Sequence, residues 1–86
     1  MKKITTLIHP FSLLQTIVVI DGKYKIDEVN TETSRCPEQI LYLLEKHNLN
    51  SVDIGGPRAY VKHIGDSVLA LAKTKFTEKN IEINYF

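Results

Sequence analysis

Cysteine is almost missing from this chain, and tryptophan is missing altogether: Cys36 is the only cysteine. A single cysteine excludes an internal disulfide, and no CxxC or Cys–His pattern accompanies it. We therefore interpret Cys36 as a small residue near a helix start rather than as a nucleophile. Long apolar runs are absent too, since the longest, residues 17–20, is far too short to cross a bilayer. Because Met1-Lys2-Lys3 leads into a segment interrupted by threonines, no signal peptide is expected, and we predict a cytoplasmic protein without a membrane partner.

Charge of one sign is equally scarce. The 11 Lys and Arg residues against 10 Asp and Glu residues leave a formal net charge of +1, whereas a dedicated nucleic-acid binder usually carries a clear basic excess. Nucleic acid is therefore a partner that the sequence allows but does not favour. It would require a shared face for four basic residues: Arg58, Lys62, Lys73 and Lys75.

Signatures of catalysis and of metal binding are also missing. The three histidines show neither HxxxH nor HExxH spacing, and no serine stands in a GxSxG elbow. The sequence predicts no catalytic residues, no metal ligands and no cofactor.

What is present is a regular alternation of apolar and polar residues over a chain long enough for one domain, residues 1–86. Residues 3–9 predict a first strand and residues 15–20 a strand that is apolar on both faces, hence inside a sheet. Asp21-Gly22 predicts a hairpin into a polar edge strand over residues 24–29, and residues 30–35 read as a polar linker. The remaining segments predict a helix from Pro37 to about His47, a short strand over residues 52–54, a helix from Pro57 ending before Thr77, and a half-buried strand containing Ile81, Ile83 and Tyr85.

This β-β-β-α-β-α-β order predicts an α/β protein with a mixed five-stranded sheet. An antiparallel three-strand meander followed by helix, strand, helix and strand resembles the ribonuclease H-like fold. The resemblance rests on element order across most of the chain. It implies, for active members, clustered carboxylates that hold two divalent metals, one of them on the first strand.

Asp53 stands at the fourth-strand position of that pattern, and Glu38 or Glu45 could supply the helix carboxylate. The first strand has no acid. Since two dications need several anionic oxygens around them, this gap argues against a metal-dependent nuclease and, more broadly, against an enzyme.

The most informative segment is the strand–turn–helix over residues 51–64. A helix N-terminus carries unpaired N–H groups and the positive end of the helix dipole. Gly55 and Gly56 would permit close approach of an anion, Arg58 could form a bidentate contact, and Lys62 lies one turn further on. The competing interpretation is structural: a tight βα turn with a proline starting the helix.

Two function classes therefore compete. The first is a small non-enzymatic interaction module that associates with itself or another protein, because no catalytic set is present and a last strand could leave an exposed edge. The alternative is a ligand- or phosphate-binding protein that uses Gly55, Gly56, Arg58 and Lys62.

Overall fold

The computed structural model describes residues 1–75 and 80–86, and over these residues the strands and helices follow the predicted order. The strands are β1 (Lys2–Leu7), β2 (Leu14–Asp21), β3 (Tyr24–Glu32), β4 (Ser51–Gly55) and β5 (Glu82–Tyr85), and the helices are α1 (Cys36–Lys46) and α2 (Arg58–Lys75). A 3-10 turn, Thr33–Arg35, connects β3 to α1. Among the described residues no helix is both long and apolar enough to cross a membrane.

The five strands form one mixed sheet in the order β3-β2-β1-β4-β5. The meander of β1, β2 and β3 is antiparallel, whereas β4 runs parallel to β1 and β5 runs parallel to β4. The prediction of an α/β protein with a mixed five-stranded sheet is confirmed. So is the position of β3, which lies at an edge of the sheet with β2 inside it.

The predicted boundaries differ most around the polar linker. Its first three residues continue β3, where Asn30, Thr31 and Glu32 pair with the beginning of β2. Thr31 is buried and β-branched, so this polar segment forms a strand despite its composition. At the other end of the chain, Ile81 precedes β5 instead of belonging to it. The predicted end of α2 before Thr77 falls outside the described residues.

Both helices pack on the same face of the sheet and contact each other. Alternate residues of the inner strands point towards them, and the buried residues of strands and helices form one apolar core. The strands contribute Ile4, Ile17, Val19, Val52 and Ile54, and the helices contribute Ile40, Leu43, Leu44, Val61, Ile64 and Val68.

The opposite face of the sheet carries the strand side chains that alternate with the buried ones. None of the described helices covers it, and we call it the helix-free face. Its side chains are Lys3, Thr5, Leu7, Thr16, Val18, Asp53 and Asn84, all exposed or half-buried. The molecule is accordingly only 20 Å in its shortest dimension, against 33 and 31 Å in the other two.

Candidate functional site

The carboxyl ends of β1, β4 and β5 meet at one edge of the sheet, because these three strands are parallel. We call this the carboxyl edge. It brings together the loop between β1 and β2, the turn between β4 and α2, and the end of the chain at Phe86. Ligands of open α/β sheets generally bind at such an edge.

Three of the four predicted ligand-binding residues line one cleft of about 680 Å³ at the carboxyl edge: Gly56, Arg58 and Lys62. Its other walls come from α2 and from the end of β5, and they are Val61, Asp66, Tyr85 and Phe86. We call it the α2 cleft. These three predicted residues therefore lie together, in a cleft whose lining is as much aromatic and apolar as basic.

The fourth predicted residue, Gly55, lies outside this lining and under the ring of Phe86. A Cβ atom on Gly55 would overlap that ring. The amide of Phe86 donates to the Ile54 carbonyl at 3.1 Å, which extends the pairing of β5 with β4 and places the ring over the glycine. Gly55 is thus explained by packing of the chain against itself.

Gly56 is also required by the fold. Its φ of +131° is a conformation that other residues rarely adopt. A Cβ atom there would come within 2.7 Å of the carbonyl oxygen of Ile8. The structural interpretation of the two glycines therefore accounts for both without a ligand.

The start of α2 retains part of the chemistry expected of an anion site. The amides of Tyr60 and Val61 both donate to the Pro57 carbonyl at 3.0 Å. Those of Arg58 and Ala59 have no hydrogen-bond acceptor among the described residues. Asp66 disfavours the binding of an anion, because this acidic residue lines the same cleft as Lys62. Burial, together with the Asp66 charge, raises the pKa of Tyr85.

Asp53 does not meet the helix carboxylates proposed for metal binding. It lies on the helix-free face, where Lys3 Nζ is 2.9 Å from one of its oxygens and the Asn84 amide donates to the other at 3.2 Å. Glu38 and Glu45 belong to α1, on the opposite face of the sheet. Among the described residues, no three His, Cys, Asp or Glu side chains are grouped closely enough to hold a metal ion.

The four basic residues of the nucleic-acid hypothesis all lie on α2 but do not share a face. At 3.6 residues per turn, Arg58, Lys62 and Lys73 project to one side of the helix and Lys75 to another. Asp66 interrupts the same side. The continuous basic surface that nucleic-acid binding would require is therefore not formed by these residues.

A polar cluster that the sequence did not predict fastens the end of α1 to β3. Lys46 Nζ and His47 Nε2 both lie 2.8 Å from Asp27 Oδ2, and the Glu28 amide donates to Asp27 Oδ1 at 2.8 Å. The Lys46 ammonium, followed by His47 and the Glu28 amide, holds the pKa of Asp27 well below its usual range. This cluster joins a helix end to an edge strand and opens onto no described cleft.

The sequence also missed the most exposed apolar segment of the described chain. Phe11 and Leu13, in the loop between β1 and β2, are 99% and 86% exposed, and Leu14, at the start of β2, is 60% exposed. We call residues 9–13 the apolar loop. Phe11 and Leu13 have the hydropathy of core residues, so hydropathy alone gives no signal that these two side chains face solvent.

A buried glutamine holds the apolar loop in place. Gln15 is 1% exposed. Its side-chain amide accepts from the His9 amide at 2.9 Å and donates to the carbonyls of His9 and Ser12 and to the hydroxyl of Thr33. The Thr33 amide in turn donates to the Leu13 carbonyl at 3.2 Å. The loop is thus tied to β2 and to the 3-10 turn while its two largest side chains point outward.

Compared with known proteins, the sequence matches no protein-family model and no curated protein.

Proposed function

We propose that this protein is a small non-enzymatic interaction module that associates with itself through its carboxyl edge. The observation that carries the proposal is the apolar loop. Phe11 and Leu13 are almost fully exposed on a segment whose backbone is hydrogen-bonded to the rest of the fold. Exposed apolar surface of this kind, when it is held rather than free, is typical of protein–protein contacts.

Exposure of the apolar loop has a cost in free energy. An exposed phenylalanine forgoes roughly 2 kcal/mol of the stabilisation that burial of its side chain would provide. A loop that is already hydrogen-bonded also loses little conformational entropy when a partner covers it. Burial of the ring favours association, and the small entropy loss keeps the cost of association low.

The test is the mass of the protein in solution, measured by light scattering or sedimentation from micromolar to near-millimolar concentration. We expect wild type to show a concentration-dependent oligomer and Phe11→Ser to shift it towards monomer. Tyr24→Ser is the matched control, because Tyr24 is also an exposed aromatic residue but lies at the opposite edge of the sheet. A wild type that stays monomeric at the highest concentration would refute self-association.

The proposal also covers the fold class and the cellular setting of the protein. The antiparallel meander followed by helix, strand, helix and strand, with β4 and β5 parallel to β1, supports membership in the ribonuclease H-like fold class. The buried free thiol of Cys36 supports a reducing, cytoplasmic setting.

The alternative function is binding of a phosphate-bearing ligand in the α2 cleft. The convergence of Arg58, Lys62 and the first amides of α2 on one cleft favours it. A bound ligand should then raise the melting temperature across a panel of inorganic phosphate, nucleotides and sugar phosphates, and Arg58→Ala should abolish the rise. Arg35→Ala is the control, since Arg35 precedes α1, away from the cleft. Absence of any shift would exclude this function.

A further inference from the structure

We infer that the partner of the apolar loop is the α2 cleft of a second copy of this chain, in a closed two-fold dimer. The inference rests on the proposed self-association and specifies its geometry. The structural relationship behind it is that a protruding apolar segment and a cleft with aromatic and apolar walls lie side by side on the same edge of one molecule.

The positions follow from the strand order. The apolar loop connects β2 and β1, and the α2 cleft lies where β4 and β5 end. In the order β3-β2-β1-β4-β5 these two sites are about two strand spacings apart, which is roughly 10 Å. A two-fold axis between them would place the loop of each copy at the cleft of the other, so the assembly closes at two chains.

The cleft suits the loop in size and in chemistry. Its volume of about 680 Å³ exceeds what one phenylalanine and one leucine side chain require. Val61, Tyr85 and Phe86 offer apolar and aromatic walls, and aromatic rings pack favourably edge to face. Arg58 at the rim can lie over the face of an inserted Phe11 ring.

The area available for contact between two copies limits the affinity of the dimer. The whole molecule measures 33 × 31 × 20 Å. The end that carries both sites can therefore bury at most roughly 600 Å² per copy, at the low end of specific interfaces. We accordingly expect a reversible dimer whose population varies with concentration.

Two serine substitutions test the loop and the cleft separately. Phe11→Ser removes the protruding ring, and Phe86→Ser removes one wall of the cleft. Each should raise the dimer dissociation constant at least about tenfold, the effect of losing one central anchor, whereas Tyr24→Ser should leave it unchanged. If Phe86→Ser associates as wild type does, the cleft is not the partner of the loop, although self-association itself stands.

Cross-linking provides a readout that does not depend on the stability of these variants. A tagged chain carrying Leu13→Cys is mixed with an untagged chain carrying Lys62→Cys and treated with a short bismaleimide. The native Cys36 is fully buried and does not compete. We expect a cross-linked heterodimer, and none when the untagged chain carries Tyr24→Cys instead. Equal cross-linking to both partners, or to neither in a protein that light scattering shows to be dimeric, would overturn the loop-in-cleft geometry. A monomeric wild type would overturn the proposed function as well.

Discussion

The side chain of Gln15 forms a reciprocal pair of hydrogen bonds with the backbone of His9: Oε1 accepts from the His9 amide at 2.9 Å, and Nε2 donates to the His9 carbonyl at 2.8 Å. The primary amide thus takes the place of a peptide group in a neighbouring strand. Through this pair β2 continues to hold the chain beyond the last residue of β1, and the apolar loop has a defined shape.

Replacing Gln15 with leucine tests this relationship. The change keeps the approximate volume but removes the part-buried hydrogen bonds that the amide makes to the backbone of His9 and Ser12. We expect the free energy of unfolding to fall by about 1–3 kcal/mol. Urea denaturation measures the effect, and Thr16→Ala, on the exposed face of the same strand, should change it by less than about 0.5 kcal/mol. Equal stability of Gln15→Leu and wild type would contradict the role assigned to the amide.

The two positive-φ glycines should respond differently to alanine. At Gly22, φ is +63° and a Cβ would meet nothing within 4 Å, so Gly22→Ala should cost only the roughly 1–2 kcal/mol of a left-handed residue. At Gly56 the same substitution adds a clash with the Ile8 carbonyl, and we expect a clearly larger loss of stability. Thermal or urea unfolding of the two variants provides the comparison. A Gly56→Ala variant no less stable than Gly22→Ala would show that the turn can relax.

The Asp27 cluster predicts a pH-dependent stability. The depressed pKa means that ionised Asp27 stabilises the folded state, fully so above the unfolded-state pKa of about 3.9. As the pH falls below that value towards the folded-state pKa, the unfolded chain binds the proton first and the contribution is lost. Asp27→Asn should therefore melt at a lower temperature than wild type at neutral pH.

Measuring Asp27→Asn and wild type over a series of pH values tests whether the charge of Asp27 is responsible. The difference in melting temperature between wild type and Asp27→Asn should narrow steadily in acid. Asp21→Asn removes a carboxylate that pairs with the exposed amino group of Met1, and it should show little difference at any pH. A constant gap between wild type and Asp27→Asn would mean that the charge of Asp27 is not what stabilises the junction.

Cys36 should be unreactive in the folded protein. It is fully buried, and burial raises the pKa of its thiol to about 11. Very little thiolate is present at about pH 8, and reagents have no access to it. A chromogenic disulfide reagent should therefore label the thiol only after denaturant is added. Rapid labelling under native conditions would indicate that the start of α1 opens.

Sequence patterns predicted the sheet well because alternation and turn chemistry are local. Asp21-Gly22 identified the hairpin, and the proline before α2 identified the helix start. Gly56, Arg58 and Lys62 are close in sequence, but Tyr85 and Phe86 reach the α2 cleft only through the pairing of β5 with β4. Gly55 and Gly56 are harder to interpret from sequence, because only the positions of Ile8 and Phe86 reveal that packing requires them.

What sequence could not predict depends on contacts between distant residues. Asp27 and His47 are twenty positions apart and meet only because α1 ends over β3. Phe11 and Leu13 have the hydropathy of core residues, and the contacts that hold their loop with both side chains outward come from Gln15 and Thr33. Gln15 is the first residue of the predicted apolar strand, and its role becomes visible only when its four hydrogen-bond partners are in place.

The strand order also constrains how the chain is made. The β1–β2–β3 meander contains only local pairings and can form as soon as it leaves the ribosome. The other side of β1 must wait for β4, since Ile4 pairs with Val52, 48 residues later. During that interval the middle strand of the future sheet has one unpaired edge and an uncovered apolar face. Conditions that slow synthesis between β3 and β4 would therefore be the ones under which nascent chains aggregate.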